Sequence, residues 1–218
     1  MADQSAAAPV ITVLNLKGGV GKTHTSWLLA SVAQERGKRI LLVDLDTQAN
    51  LTRSFLESVE EGRSVAELFN PAADGGATPL IHRTGFSHID IIPATTHLVP
   101  FDESDQRKWE ETDRHTSLVD PINDVRGQYD IIVFDCPPRL SLVSFAALCA
   151  SDSVIVPLEA ADWGAQGITH VAQAIEYVRT HYNPPLRLLG YLVSRFKPAR
   201  LPASIRESAA RSVRSRNV

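Results

Sequence analysis

Cysteine is nearly absent from this chain: Cys136 and Cys149 are its only two. They carry no metal-ligand spacing, which excludes a disulfide framework and a cysteine metal site and reads as reduced thiols in a cytosolic setting. No apolar run approaches the ~18 residues that a membrane span needs. The first eight residues have neither a basic n-region nor an apolar h-region, so they read as part of a mobile tail, residues 1–9, on a cytoplasmic protein. A Pro/Gly/Ser-rich linker is missing as well, as is any internal repeat. The 218 residues, 44% hydrophobic and 22% charged, therefore predict one α/β domain with a substantial core. Residues 70–78 are the one loop-like shift in composition and read as a surface excursion.

What is present begins with an apolar, β-rich run, Val10-Ile11-Thr12-Val13-Leu14-Asn15-Leu16. It leads into Lys17-Gly18-Gly19-Val20-Gly21-Lys22-Thr23 and then into a helical pattern from His24 to Arg36. Strand, glycine-rich loop and helix in that order let backbone N–H groups turn inward around an anion, with the helix adding the positive end of its dipole. Lys22 would lie along the outer phosphates of a nucleotide and the Thr23 hydroxyl would complete a magnesium site. The ordinary phosphate-loop pattern asks for glycine where this chain has Leu16. In exchange, a second lysine, Lys17, stands at the mouth of the loop. The bland alternative is a glycine-rich turn with two solvated lysines.

On these residues the chain resembles the deviant Walker A group of P-loop NTPases, and within it the ParA-type partition ATPases. The resemblance implies a three-layer α/β fold, a mostly parallel sheet with helices on both faces. It implies ATP and Mg²⁺ as cofactors, with Lys17, Gly18, Gly19, Val20, Gly21, Lys22, Thr23 and His24 as nucleotide-binding residues. In that family the lysine matching Lys17 reaches across a dimer interface to the partner's nucleotide, which makes an ATP-dependent homodimer the expected working form. The segment Asp44-Leu45-Asp46-Thr47-Gln48-Ala49-Asn50 is similar to the family's switch sequence, with Thr47 in place of the customary proline. The acid matching Asp46 is the hydrolytic residue, so Lys17, Lys22 and Asp46 form the implied catalytic set. Asp135, which ends the apolar run Ile131-Ile132-Val133-Phe134, matches the Walker B acid that holds magnesium through water. Asp46 is a further water-mediated candidate. Without the resemblance Asp135 could equally be a strand terminator, and Asp44 could be structural or a direct contact.

The remaining pattern alternates strands and helices, which predicts a parallel sheet covered on both faces. Strands are expected at residues 40–43, 89–93, 129–135, 153–158 and 186–193. Helices are expected at 25–36, with Trp27 in the core, at 51–56, 64–69, 142–149 and 167–182. Residues 101–119 are dense in charge and read as a solvated helix and loop around Trp109.

Net charge is −3, which by itself argues against a nucleic-acid binder, yet its distribution is uneven. From Arg195 onward seven basic residues face one acid, a balance of +6, while the remainder carries −9. That asymmetry points to an acidic partner. The P-loop ATPase domain is expected over residues 10–196, followed by a basic segment, 197–218, helical or frayed. It lacks the apolar face of a membrane-surface helix, whereas sequence-independent phosphate contact on DNA needs only basic side chains. Lys197, Arg200, Arg206, Arg211 and Arg214 are its DNA-binding candidates. No helix-turn-helix precedes the loop, so site-specific DNA reading is not expected. Beyond Phe196 the chain departs from the family, which usually continues with a further strand and a closing helix.

The function implied is an ATP-driven dimer that binds nonspecific DNA and partitions a plasmid or chromosome. A centromere-binding, ParB-like partner stimulates its hydrolysis, and the protein lies on the nucleoid when ATP is bound. The alternatives are a positioning ATPase for a protein cargo, a dethiobiotin-synthetase-like metabolic ligase on the same scaffold, and a nucleotide binder that never turns over.

Overall fold

The computed structural model describes residues 7–70, 76–102, 104–105, 113–159 and 166–194. The basic candidates Lys197, Arg200, Arg206, Arg211 and Arg214 lie outside the described residues, as does Trp109. Among the described residues seven strands form one sheet: β1 (Val10–Val13), β2 (Ile40–Asp44), β3 (His82–Arg83), β4 (Ile89–Ile92), β5 (Ile131–Asp135), β6 (Ser153–Glu159) and β7 (Arg187–Ser194). Their order is β3-β4-β2-β5-β1-β6-β7. All neighbouring pairs are parallel except β3 with β4. The helices among the described residues are α1 (Lys22–Glu35), α2 (Asn50–Phe55), α3 (Val119–Val125), α4 (Leu142–Cys149) and α5 (Gln166–His181), with short 3₁₀ turns between elements. None is long and apolar enough to cross a membrane.

The continuous apolar runs are explained by burial on both faces. In β2, Ile40 and Leu42 pack with Ala30 and Ala33 of α1 and Leu51 of α2. Leu41 and Val43 face the other way, into a larger cluster with Ile122, Val125, Ala146 and Val178 from α3, α4 and α5. Side chains alternate faces along a strand, and with helices on both sides every position must be apolar. The sheet is thus the middle of three layers, as the alternation of elements predicts. The strand order reverses around β1, whose crossover runs to β2 on one side while β6 lies on the other. Open α/β sheets bind ligands in the crevice that such a reversal leaves at the carboxyl ends of the strands.

Several expectations are corrected. Trp27, expected in the core, is 39% exposed, and Leu28 and Val32 are exposed with it. The start of α1 is fixed by the phosphate loop, and the face turned to the sheet is the small and polar one: Lys22, Thr25, Ser26, Ala30 and Ala33. Small side chains let this helix lie close to the strand ends, which leaves the bulky ones outside. The charged stretch 101–119 is not simply solvated, because His115 and Leu118 are buried and the His115 ring meets Tyr182 at 4.6 Å. Ala8 and Pro9, expected in a mobile tail, belong to the fold. Ala8 is buried and its carbonyl accepts from Arg126 Nε, and the Pro9 carbonyl accepts from Ile132 N–H. The antiparallel β3 is two residues long, too short to leave a periodic signal.

These burials predict opposite outcomes for two aromatic residues. Phe134→Ala, at a fully buried position of β5, is expected to cost about 3–5 kcal/mol in urea unfolding. Trp27→Ser is expected to change stability by less than about 1 kcal/mol, and a core-sized loss there would contradict this placement of α1.

Candidate nucleotide site

The loop between β1 and α1 is built on two glycines in the left-handed region, Gly19 at φ 76° and Gly21 at φ 92°. Gly21 caps α1, whose first turn holds no acid, so the positive end of the helix dipole is left for an anion. Leu16, which replaces the customary glycine, is half-buried and packs against the larger core cluster. The Asn15 side chain straps the start of the loop, donating from Nδ2 to the Pro157 carbonyl at 2.7 Å and accepting from Lys17 N–H at 2.9 Å.

The two lysines occupy different environments. Lys22 is 7% exposed and its Nζ donates to the Lys17 carbonyl at 3.0 Å, folding the side chain back over the loop. Burial lowers its pKa, against the pull of nearby Asp135 and Asp46. The Lys17 side chain is 51% exposed at the mouth, with Nζ 3.6 Å from Glu159 Oε2 at the end of β6. One cation therefore lies within the loop and the other outside it.

Three acids gather where β2 and β5 end. Asp44 and Asp135 are register partners on adjacent parallel strands, so both carboxylates face α1. Asp44 is fully buried, and its oxygens accept from Thr52 N–H and Thr52 Oγ1, each at 2.8 Å, and from Asp46 N–H at 3.1 Å. Burial raises its pKa to about 6 against those hydrogen bonds. It is a structural strap that ties the switch segment to α2. Asp46 stands at the edge of the site, 9% exposed, with Oδ1 accepting from Gln48 N–H at 2.9 Å.

Asp135 is fully buried. Ser26 Oγ donates to its Oδ1 at 3.1 Å, while Oδ2 finds no donor among the described residues. Burial, then the neighbouring Asp44 charge, raise its pKa to about 7, and the Thr23 and Ser26 hydroxyls pull the other way. A buried carboxylate oxygen without a partner needs an explanation. A magnesium ion held by the Asp135 carboxylate and the Thr23 hydroxyl would supply one, so the residues fit the ion. Among the described residues no three His, Cys, Asp or Glu side chains converge on a metal position. One carboxylate, one hydroxyl and the nucleotide's own phosphates are the usual magnesium set.

The sheet thus brings Lys17, Gly18, Gly19, Val20, Gly21, Lys22, Thr23, Asp46 and Asp135 to one edge, while His24 is exposed on α1. Sequence reasoning missed Asn15, Ser26 and Thr52. Asn15 could have been flagged as an amide inside an apolar run, and Ser26 as the residue one helical turn after Lys22. Thr52 left no signal.

A family model described as an AAA domain matches residues 8–188. The sporulation initiation inhibitor protein Soj of Bacillus subtilis is 33% identical over 85% of this chain and 72% of its own. The chain belongs to the ParA-type partition ATPase family. Among solved structures, a plasmid partition protein from Borrelia burgdorferi superposes with a TM-score of 0.75 at 25% identity, over 93% of this chain and 85% of that one. A cobyrinic acid a,c-diamide synthase from Mycobacterium smegmatis with bound ADP and magnesium superposes with a TM-score of 0.80 at 28% identity, over 94% of this chain and 81% of that one. ATP and magnesium are the cofactors consistent with this membership, and the ParA-type fold accounts for the loop, the switch segment and the acid that ends β5.

The raised Asp135 pKa has a measurable sign. The folded state holds this proton more tightly than the unfolded chain, so the associated stability is complete below about pH 4 and is lost as pH rises through about 7. Nucleotide-free protein is expected to lose stability between about pH 4 and pH 7, the span between the ordinary and the raised pKa, and Asp135→Asn to flatten that loss by on the order of 1–3 kcal/mol. Parallel unfolding-versus-pH curves for the two proteins would contradict the assignment.

Proposed function

We propose that this chain is a partition switch of the ParA type, in which ATP closes two copies on each other and hydrolysis releases them. The observation that carries the reading is the separation of the two lysines. Lys22 is buried within the loop and Lys17 stands half-exposed at its mouth, where a second subunit can receive it. In this reading Lys17 of each protomer reaches the nucleotide of the other, in the manner of an arginine finger. Magnesium neutralises phosphate charge when bound. Gly18 to Thr23 hold the phosphates, Asp135 and Thr23 hold the ion through oxygen, and Asp46 orients the attacking water. Hydrolysis is then a matter of positioning and charge, with no covalent step on the protein.

The output is nonspecific DNA binding by the dimer, with Lys197, Arg200, Arg206, Arg211 and Arg214 supplying phosphate contacts, and the cargo is a plasmid or chromosome. A ParB-like, centromere-binding partner stimulates turnover. The protein is then cytoplasmic and sits on the nucleoid in its ATP form. Because ATP favours the closed arrangement over the open one, dimer population reports nucleotide state.

A second reading is favoured by the superposition on a cobyrinic acid a,c-diamide synthase: ATP-dependent amidation of a small carboxylic acid. Its turnover would depend on that acid and an amine donor, and not on DNA or a protein partner.

Sedimentation with ATP and magnesium separates the two. Asp46→Ala, slowed in hydrolysis, is expected to sediment as a dimer and to carry nonspecific duplex DNA with it, whereas Lys17→Ala stays monomeric. A nucleotide-bound Asp46→Ala monomer indifferent to DNA would overturn the partition reading for this chain.

A further inference from the structure

Ser194, the last residue of β7, contacts the phosphate loop from the edge of the sheet. Its Cα is the register partner of Glu159 at the end of β6, which places its side chain where the loop passes over the strand ends. Ser194 Oγ lies 2.6 Å from the Val20 carbonyl oxygen and 3.2 Å from the Leu158 carbonyl oxygen. Both neighbours are acceptors, so the serine hydroxyl is the donor, and the shorter contact is to the loop. Val20 is fully buried, which leaves its carbonyl dependent on a protein donor.

We propose that Ser194 is a positioning residue for nucleotide binding, acting through the Val20–Gly21 peptide. That peptide is planar and trans, so its C=O and N–H point in opposite directions. Anchoring the carbonyl outward, toward β7, turns the Gly21 N–H to the concave side of the loop, where it serves as a phosphate donor. Gly21 creates the need for this anchor. Its φ of 92° requires glycine, and glycine lowers the barrier to turning the peptide plane over. A Cβ built at Gly21 would stand 3.6 Å from Ser194 Cβ, so the two residues are in close apposition. The hydroxyl restores the rigidity that glycine removes.

Calorimetric titration of the full chain with ATP and with ADP, each with magnesium, tests this on Ser194→Ala and Ser194→Thr beside the wild type. Ser194→Ala is expected to weaken both nucleotides about 3- to 10-fold, to raise KM with little change in kcat, and to stay folded with a modestly lowered unfolding midpoint. Ser194→Thr, which keeps the hydroxyl, is expected to restore affinity to within about twofold of the wild type. A folded Ser194→Ala protein with wild-type affinity for ATP and ADP would overturn the proposal. Should that variant fail to fold, Ser194→Cys, a weak donor of similar shape, decides in its place: reduced affinity supports the proposal and wild-type affinity overturns it. A wild-type chain that binds neither nucleotide would contradict the site itself, an outcome distinct from failure of the Ser194 role.

Discussion

A carboxylate taken wholly out of water, beside a second one and with an oxygen left unpaired, is unfavourable unless a cation joins it. Asp135 is held in that condition by the sheet. β5 lies between β1 and β2, so its last residue is enclosed by the phosphate loop on one side and by Asp44 on the other. The small-residue face of α1 closes over it, with Ser26 supplying one hydrogen bond. This enclosure suits the site to a metal-bearing phosphate ligand, and it raises the pKa of the acid.

The neighbouring acid has the opposite task. Asp44 has its oxygens occupied by donors from Thr52 and Asp46, and Thr52 Oγ1 in turn accepts from Ala94 N–H at 2.9 Å, just after β4. The switch segment is thereby fastened to α2 and to the end of β4. Asp46 is left at the rim, its placement set by a short polar turn. Two carboxylates two residues apart thus divide into a strap and a candidate for chemistry, according to how many donors each is given. On the other flank, Asn15 and Ser194 fasten the loop to β6 and β7.

Much of this was legible in the sequence because it is local. Three glycines, a lysine and a threonine at a strand-to-helix junction specify a phosphate loop, and apolar runs ending in Asp44 and Asp135 specify buried strands with acids at one edge. What was not legible depends on contacts distant in the chain. The exposure of Trp27 follows from how closely α1 approaches the sheet, which its own periodicity does not state. His115 is buried because Tyr182 and Phe145 close over it from elsewhere in the chain, so the local charge density misled. Ser194 reaches Val20 across 174 positions, and no short motif could have announced it. The difference between Asp44 and Asp46 was likewise decided by Thr52, an ordinary helix residue until the fold places it under the strand.

The proposed action of Lys17 on the nucleotide of the other subunit is tested most directly by mixing two hydrolysis-defective variants. Lys17→Ala keeps Asp46 and its own loop, and Asp46→Ala keeps the lysine to lend. If the lysine works in trans, an equimolar mixture of the two recovers ATP hydrolysis, because each mixed dimer holds one complete site, the Lys17→Ala subunit's Asp46 with the lysine lent by the other subunit. A mixture as inactive as either variant alone, under conditions where the two proteins are shown to pair, would contradict the account.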